Sequence, residues 1–345
     1  MQVNQQQQTM FPFDVVILDV DGSITRQHRL IEQYQPTILR PSDDEEALYY
    51  MDTKTIAWLQ HLVRTTMTSD RPRIAFYGSN LHHHLAYLWI SLAQEPITVI
   101  NFDAHTDLFR SVPGIVWHGS WAPASLRLPQ VQKIIMLGQD RDLNGDMWTM
   151  HGFPDGTLIY ELDWLQQGKV EIYPTTMEES VFQGSLKANL PFATFEPKGV
   201  FQTQAHWQSL RGGEGFTANL KRIVQRIETE AVHITIDKDG LQEPDAYTNL
   251  YGDNKQGTLT LDELLEALQI IQHSKRIVGV DICGDYFYPT AKRDPLRRWF
   301  SEEMQKKVPE QFTNSDQLRQ INEETNLRIL AALQKQDTTP ATAGD

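Results

Sequence analysis

Six apolar runs recur along the chain with helix-like stretches between them, and this alternation limits the fold more than any other feature of the sequence. The runs DVVILDV, RIAFYG, ITVINFDA, KIIMLG, AVHITID and RIVGVDI are continuous rather than alternating, as expected of strands buried on both faces. HHHLAYLWISLAQ, GFTANLKRIVQRIE and TLDELLEALQIIQHS carry apolar residues at helical spacing. A helix is also expected from about Thr53, and another over TNSDQLRQINEETNLRILAALQKQ. Strands that alternate with helices build a mainly parallel sheet covered on both faces, so the fold class is α/β.

Residues 144–215 break the rhythm with Gly, Pro and aromatic residues and no clean period, which predicts loops and short strands over one side of the fold. Residues 1–335 are expected to form one domain carrying this irregular insertion, with 336–345 as a disordered tail. The formal charge is −14, from 31 basic and 45 acidic residues, and no dense basic block is present to track a phosphate backbone. Nucleic acid is thereby excluded as an expected partner. No stretch approaches the roughly 18 apolar residues of a membrane span, and the first residues lack a signal-peptide pattern; a cytoplasmic location is expected. The lone cysteine, Cys283, allows no internal disulfide and no cysteine cluster. Any metal would have to be held by oxygen and imidazole.

Such groups are present. VINFDAHTDLF ends an apolar run with Asp103, His105 and Asp107 at alternate positions, which share one side if the chain stays extended beyond the strand. VHITIDKDGLQEPDA ends another with Asp237 and Asp239, and LHHHLA places His82, His83 and His84 after RIAFYG. All follow strands, where open α/β folds place their sites. Four carboxylates packed together raise one another's pKa values unless cations neutralise them. Two divalent ions sharing bridging carboxylates meet that need and can activate water for hydrolysis.

NFDAHTDLF resembles the DAHxD motif of the arginase and ureohydrolase family, and ITIDKDGLQEPDA resembles its SxDxDGLDP motif. The resemblance covers about residues 74–290. It implies a three-layer α/β/α sandwich around a mainly parallel sheet, holding two Mn2+ ions. Carried over by motif, Asp103 and Asp237 would bridge both ions, His83 and Asp107 would complete one site, and His105 and Asp239 the other. A one-residue shift would replace His83 by His82 or His84. VWHGSW matches the family's HG pair, which makes His118 the expected proton shuttle beside a bound guanidinium.

The segment GVDICGDYFYP departs from the family's DxxEVNP, whose glutamate binds the guanidinium. Gly284 stands at that position, so the acid is expected to be Asp285, through a bulge, or Glu196 from the insertion; failing both, the substrate is expected to be no guanidine. HGSWAPASLRL offers no recognisable clamp for a free amino acid, which is similar to peptide arginases that convert arginine to ornithine in ribosomally made peptides. The expected partner is an arginine-containing precursor peptide, with Trp117, Trp121 and Tyr160 as candidate groove walls. A free small guanidine as substrate and a non-catalytic arginase-like module are the alternatives. A homo-oligomer is compatible with the sequence. VVILDVDGSIT also resembles the DxDGT motif of haloacid-dehalogenase-type phosphatases, but the lysine they need has no convincing counterpart; Asp19 and Asp21 are better placed closing the first strand.

Overall fold

The structure is a computed structural model that describes residues 11–41, 50–140, 161, 163–183, 186–199, 202–249, 256–286 and 315–334. The apolar runs form an eight-stranded sheet whose neighbours all pair in parallel. Its strands are β1 (Asp14–Leu18), β2 (Thr37–Leu39), β4 (Arg73–Phe76), β5 (Ile97–Phe102), β7 (Val131–Leu137), β8 (Val170–Tyr173), β13 (Ala231–Asp237) and β14 (Arg276–Cys283). They lie in the order β2-β1-β4-β14-β13-β5-β7-β8. Every residue of β5 and of β13 is buried, which is why these runs are apolar throughout.

Two groups of helices accompany the sheet. One comprises α2 (Thr53–Thr66), α3 (Ala86–Ser91) and α4 (Trp121–Leu126), with α3 touching both of the others. The other comprises α1 (His28–Tyr34), α6 (Phe216–Gln225), α7 (Leu261–Ser274) and α8 (Ser315–Gln334), while the one-turn α5 (Asp163–Gln166) leads into β8. Helix starts follow their capping residues. Asp52 accepts the Thr55 N–H at 2.8 Å, and Thr260 with Glu263 forms a reciprocal capping box before LDELLEAL. Among the described residues no helix is long and apolar enough to cross a membrane.

The segment expected to be irregular holds more regular structure than its composition suggests. Its described part supplies edge strand β8 and an antiparallel sheet of β9 (Glu179–Gln183), β10 (Ala188–Leu190), β11 (Ala193–Pro197) and β12 (Gln202–Trp207). β12 alternates exposed and buried residues, and Phe192, Phe195 and Trp207 build a small aromatic core that reaches Tyr173 of the main sheet. A further pair, β3 (Tyr50–Asp52) with β6 (Ile115–Trp117), lies before the short turn at His118. The expected tail, 336–345, falls outside the described residues.

In chain order β4 leads to β5, yet β14 and β13 lie between them in the sheet. The crossover brings the carboxyl ends of these four strands together, and carboxyl ends are where a parallel sheet receives its ligands. The loops there are pressed together. A Cβ at Gly240 would lie 2.9 Å from the Asp103 backbone, and one at Gly257 would lie 2.1 Å from the Gly240 oxygen. Gly240→Ala is therefore expected to cost about 1–3 kcal/mol through overpacking, read as a lowered denaturant midpoint at unchanged m-value.

Candidate metal centre

The carboxyl edge of the sheet collects the acidic and imidazole residues from three strand ends. Asp103, His105 and Asp107 follow β5, Asp237 ends β13 with Asp239 just after it, and His83 sits in a 3-10 turn, Asn80–Leu85, after β4. His83 Nδ1 lies 3.0 Å from Asp107 Oδ2, 3.2 Å from Asp103 Oδ2 and 3.6 Å from Asp237 Oδ2. His105 Nδ1 lies 3.2 Å from Asp239 Oδ2 and 3.5 Å from Asp103 Oδ1. The two oxygens of Asp103 thus face two different imidazoles.

This convergence does not come from strand alternation. β5 stops at Phe102, and 103–107 is a loop in which Asp107 adopts a left-handed φ of 48°. Side-chain and backbone donors hold it. Asp103 accepts the His105 N–H at 2.7 Å, Asp237 accepts the Asp239 N–H at 3.0 Å, and Asp107 accepts the Trp121 indole N–H at 2.6 Å. Trp121 is fully buried and its ring lies 4.9 Å from that of His83, so it supports the donor set instead of walling a groove. Trp117 is half-buried against Phe109 and His118; Tyr160 lies outside the described residues.

Of the three consecutive histidines, His83 enters the cluster. His82 Nε2 lies 3.8 Å from Asp21, and His84 is fully buried. Asp21 accepts hydrogen bonds from Ser23 and, at 2.8 Å, from the Ser79 N–H, so the DVDG motif closes the first strand by propping the turn that carries His83. His118 opens the short turn His118–Ser120 and is exposed, with its ring edge-on to Trp117.

The two residues expected to bind a guanidinium are placed otherwise. Asp285 is buried and its carboxylate is occupied: Lys238 Nζ lies at 2.8 Å, Gln27 donates at 2.6 Å and Asn326 at 3.2 Å. Its sequence position suggested a site acid, but the ammonium of buried Lys238 must be matched inside the protein, and Asp285 does that. Glu196 lies exposed on β11 of the antiparallel sheet and belongs to none of the donor groups among the described residues. A glutamate cannot stand at 284 either. Gly284 has φ 85°, and a Cβ there would lie 2.7 Å from Asp237 Oδ1.

Sequence reasoning missed Cys283, whose thiol joins His83 and Asp237 in a third group of close donors. Burial and the neighbouring carboxylates hold that thiol well above its ordinary range. It also missed Lys238, Thr235 and Asp281; the last two stand at the opening positions of the SxDxDGLDP-like and DxxEVNP-like segments, where the carboxylates further along draw the reading.

Electrostatically the cluster is unbalanced without added positive charge. Burial would depress both imidazoles, but Asp103 with Asp107 holds His83, and Asp239 with Asp103 holds His105, well above the ordinary 6.5. Burial, together with Asp239 and Asp103, pushes Asp237 up. Four carboxylates and two imidazoles, in groups whose donor atoms all lie within 4.8 Å of one another, fit divalent cations of the oxygen- and nitrogen-binding class. Protons on the histidines stand in for that charge.

The chain has an arginase-like α/β/α fold and carries a candidate metal centre. Solved structures that share the fold include formimidoylglutamase from Bacillus subtilis subsp. subtilis str. 168, at TM-score 0.54 and 14% identity over 94% of this chain and 88% of that one. Proclavaminate amidino hydrolase from Streptomyces clavuligerus aligns at TM-score 0.54 and 13% identity over 94% and 96%, and arginase from Bacillus cereus at 0.53 and 13% over 92% and 98%. At these identities the likeness establishes the fold. No family model and no curated protein sequence matches the chain.

Two consequences can be measured. Histidines with raised folded-state pKa values add stability that is complete below the ordinary 6.5 and is lost as pH rises through the raised values. Cation-free protein is therefore expected to be less stable at about pH 9 than at about pH 6, and added Mn2+ to reverse the loss, read from urea midpoints. Asp285→Ala strands the Lys238 ammonium and is expected to cost about 3–5 kcal/mol, whereas the double change Lys238→Met with Asp285→Leu recovers most of that in chemical denaturation.

Proposed function

We propose that the protein is a manganese-dependent ureohydrolase that cleaves a guanidinium C–N bond with two cations in this centre. The observation that carries this reading is the division of the Asp103 carboxylate between two imidazole-containing donor sets. His83, Asp107, Asp103 and Asp237 would hold one cation, and His105, Asp239, Asp103 and Asp237 the other. Bound there, the pair would supply Lewis acidity and would lower the pKa of a water toward the neutral range, as hydrolysis of a guanidinium requires.

The chain's own residues supply the rest. Burial of the carboxylates excludes bulk water from the donor set and keeps their charge undiluted. Trp121 orients Asp107 through its indole N–H. His118, exposed on the turn that packs against the turn carrying His83, would give a proton to the departing amine nitrogen as the C–N bond breaks, a role an imidazole can fill. The products are urea and an amine.

An arginine side chain within a precursor peptide is the substrate we favour, giving ornithine in the chain. After His118 the sequence turns directly into α4, whose Trp121, Ala122, Ser125 and Leu126 are buried. This stretch presents no charged pair to the ends of a free amino acid. A peptide, whose arginine has no free ends, needs none.

Mn2+-loaded protein is to be incubated with an arginine-containing peptide, free arginine and agmatine, following urea and product mass. Urea with the arginine-to-ornithine mass change in the peptide is expected, and His118→Asn should lower kcat by about 10²–10⁴-fold. Faster turnover of free arginine or agmatine would make the chain a small-guanidine ureohydrolase. Cation binding without urea from any substrate would make it a binding module.

A further inference from the structure

With His83 read as a cation ligand, its second ring nitrogen defines a further set of residues. His83 Nε2 lies 3.0 Å from Thr235 Oγ1, and the Thr235 hydroxyl donates at 2.8 Å to Asp281 Oδ1. Asp281 is fixed in turn by the Tyr77 hydroxyl at 2.6 Å and by His233 Nε2 at 2.6 Å. All five side chains are buried.

The direction of this chain follows from donor counting. A carboxylate only accepts, and a threonine hydroxyl has one proton. That proton goes to Asp281, so Thr235 Oγ1 is left to accept, and His83 Nε2 must carry a hydrogen toward it. Nδ1 is then the atom left with a lone pair once a cation displaces its proton, and Nδ1 is the atom that faces Asp103, Asp107 and Asp237. Both restraints on the ring act at once: Thr235 holds its far edge, and Trp121 packs against it at 4.9 Å.

The surroundings are shaped to keep Asp281 where it is. It lies on β14 between β4, which leads to Tyr77, and β13, which carries Thr235 and His233. Position 279 is glycine because a Cβ there would lie 2.7 Å from His233 Nδ1. His233 and Thr235 are two apart on β13, hence on the same face, and Asp281 receives both.

We propose that Thr235 and Asp281 are positioning residues that fix the orientation and donor atom of His83, a role that rests on the metal reading above. Supports behind a metal-bound histidine typically change cation affinity by about 10–100-fold when removed.

The test compares Thr235→Val, Thr235→Ser and Asp281→Asn with the unaltered protein, measuring Mn2+ affinity by calorimetry, melting temperature, and the His83 Nε2–H signal in 15N-histidine-labelled cation-free protein. The signal is assigned by its loss in His83→Asn. Thr235→Val is expected to weaken Mn2+ binding about 10–100-fold and to shift that signal, whereas Thr235→Ser restores both. Asp281→Asn should weaken binding as well. A carboxamide oxygen is a weaker acceptor than the carboxylate it replaces, so the Thr235 hydroxyl is held less firmly. A Thr235→Val protein with lowered melting temperature but unchanged affinity and unchanged His83 signal would show a packing role only and overturn the proposal. If the unaltered protein binds no Mn2+, the metal reading fails; the His83 signal then still decides whether Thr235 governs the ring.

Discussion

Crowding of negative charge at the ends of β5 and β13 is the constraint on which the rest of the structure depends. Asp103, Asp107, Asp237 and Asp239 meet in a buried cluster, and burial makes each ionised carboxylate costly unless a positive group answers it. His83 and His105 answer in part, and divalent ions answer fully in the proposed function. Everything nearby serves to hold the geometry against repulsion. The Asp239 and His105 backbone N–H groups bind the carboxylates, Trp121 ties down Asp107, and close-packed glycines let the loops approach.

A second buried charge, Lys238, sits between two of these aspartates in sequence but is directed elsewhere. Its ammonium is drawn to Asp285 and Asn326. A lysine so near four carboxylates would otherwise compete for the place of a cation. Asp285 therefore separates two electrostatic compartments: its own neutral ion pair with Lys238, steadied by the Asn326 amide of α8, and the anionic set of four aspartates.

The sheet and the donor set were legible in the sequence because both rest on local regularities. Continuous β-branched runs mark doubly covered strands, and aspartates two apart at their ends mark a site. The choice of His83 over its neighbours was not legible from spacing alone; it depends on how a short 3-10 turn presents consecutive side chains. The surroundings of Asp285 and Glu196 were not legible either. One was named as the acid nearest a motif and the other as an acid of the insertion, while the structure turns the first toward an internal lysine and sets the second on a separate sheet. The antiparallel sheet was hidden because its strands are only 3–6 residues long and lie among Gly and Pro. Thr235 and Asp281 open the two motif-like segments ITIDKDG and DICGDYFYP, yet their pairing is not legible there, since nothing local reveals a hydrogen bond across 46 residues.

The contacts of Asn326 bear on the order in which the molecule is built. This residue of α8 bonds Gln27 across 299 positions, as well as Lys238 and Asp285. Contacts so distant in sequence close late, after the loop entropy between them has been overcome. On a ribosome, the loop bearing Asp237 and Asp239 would be made long before the helix that steadies its lysine. A nascent chain that has not yet produced α8 therefore carries the Lys238–Asp285 pair without the amide that bonds both of them and Gln27.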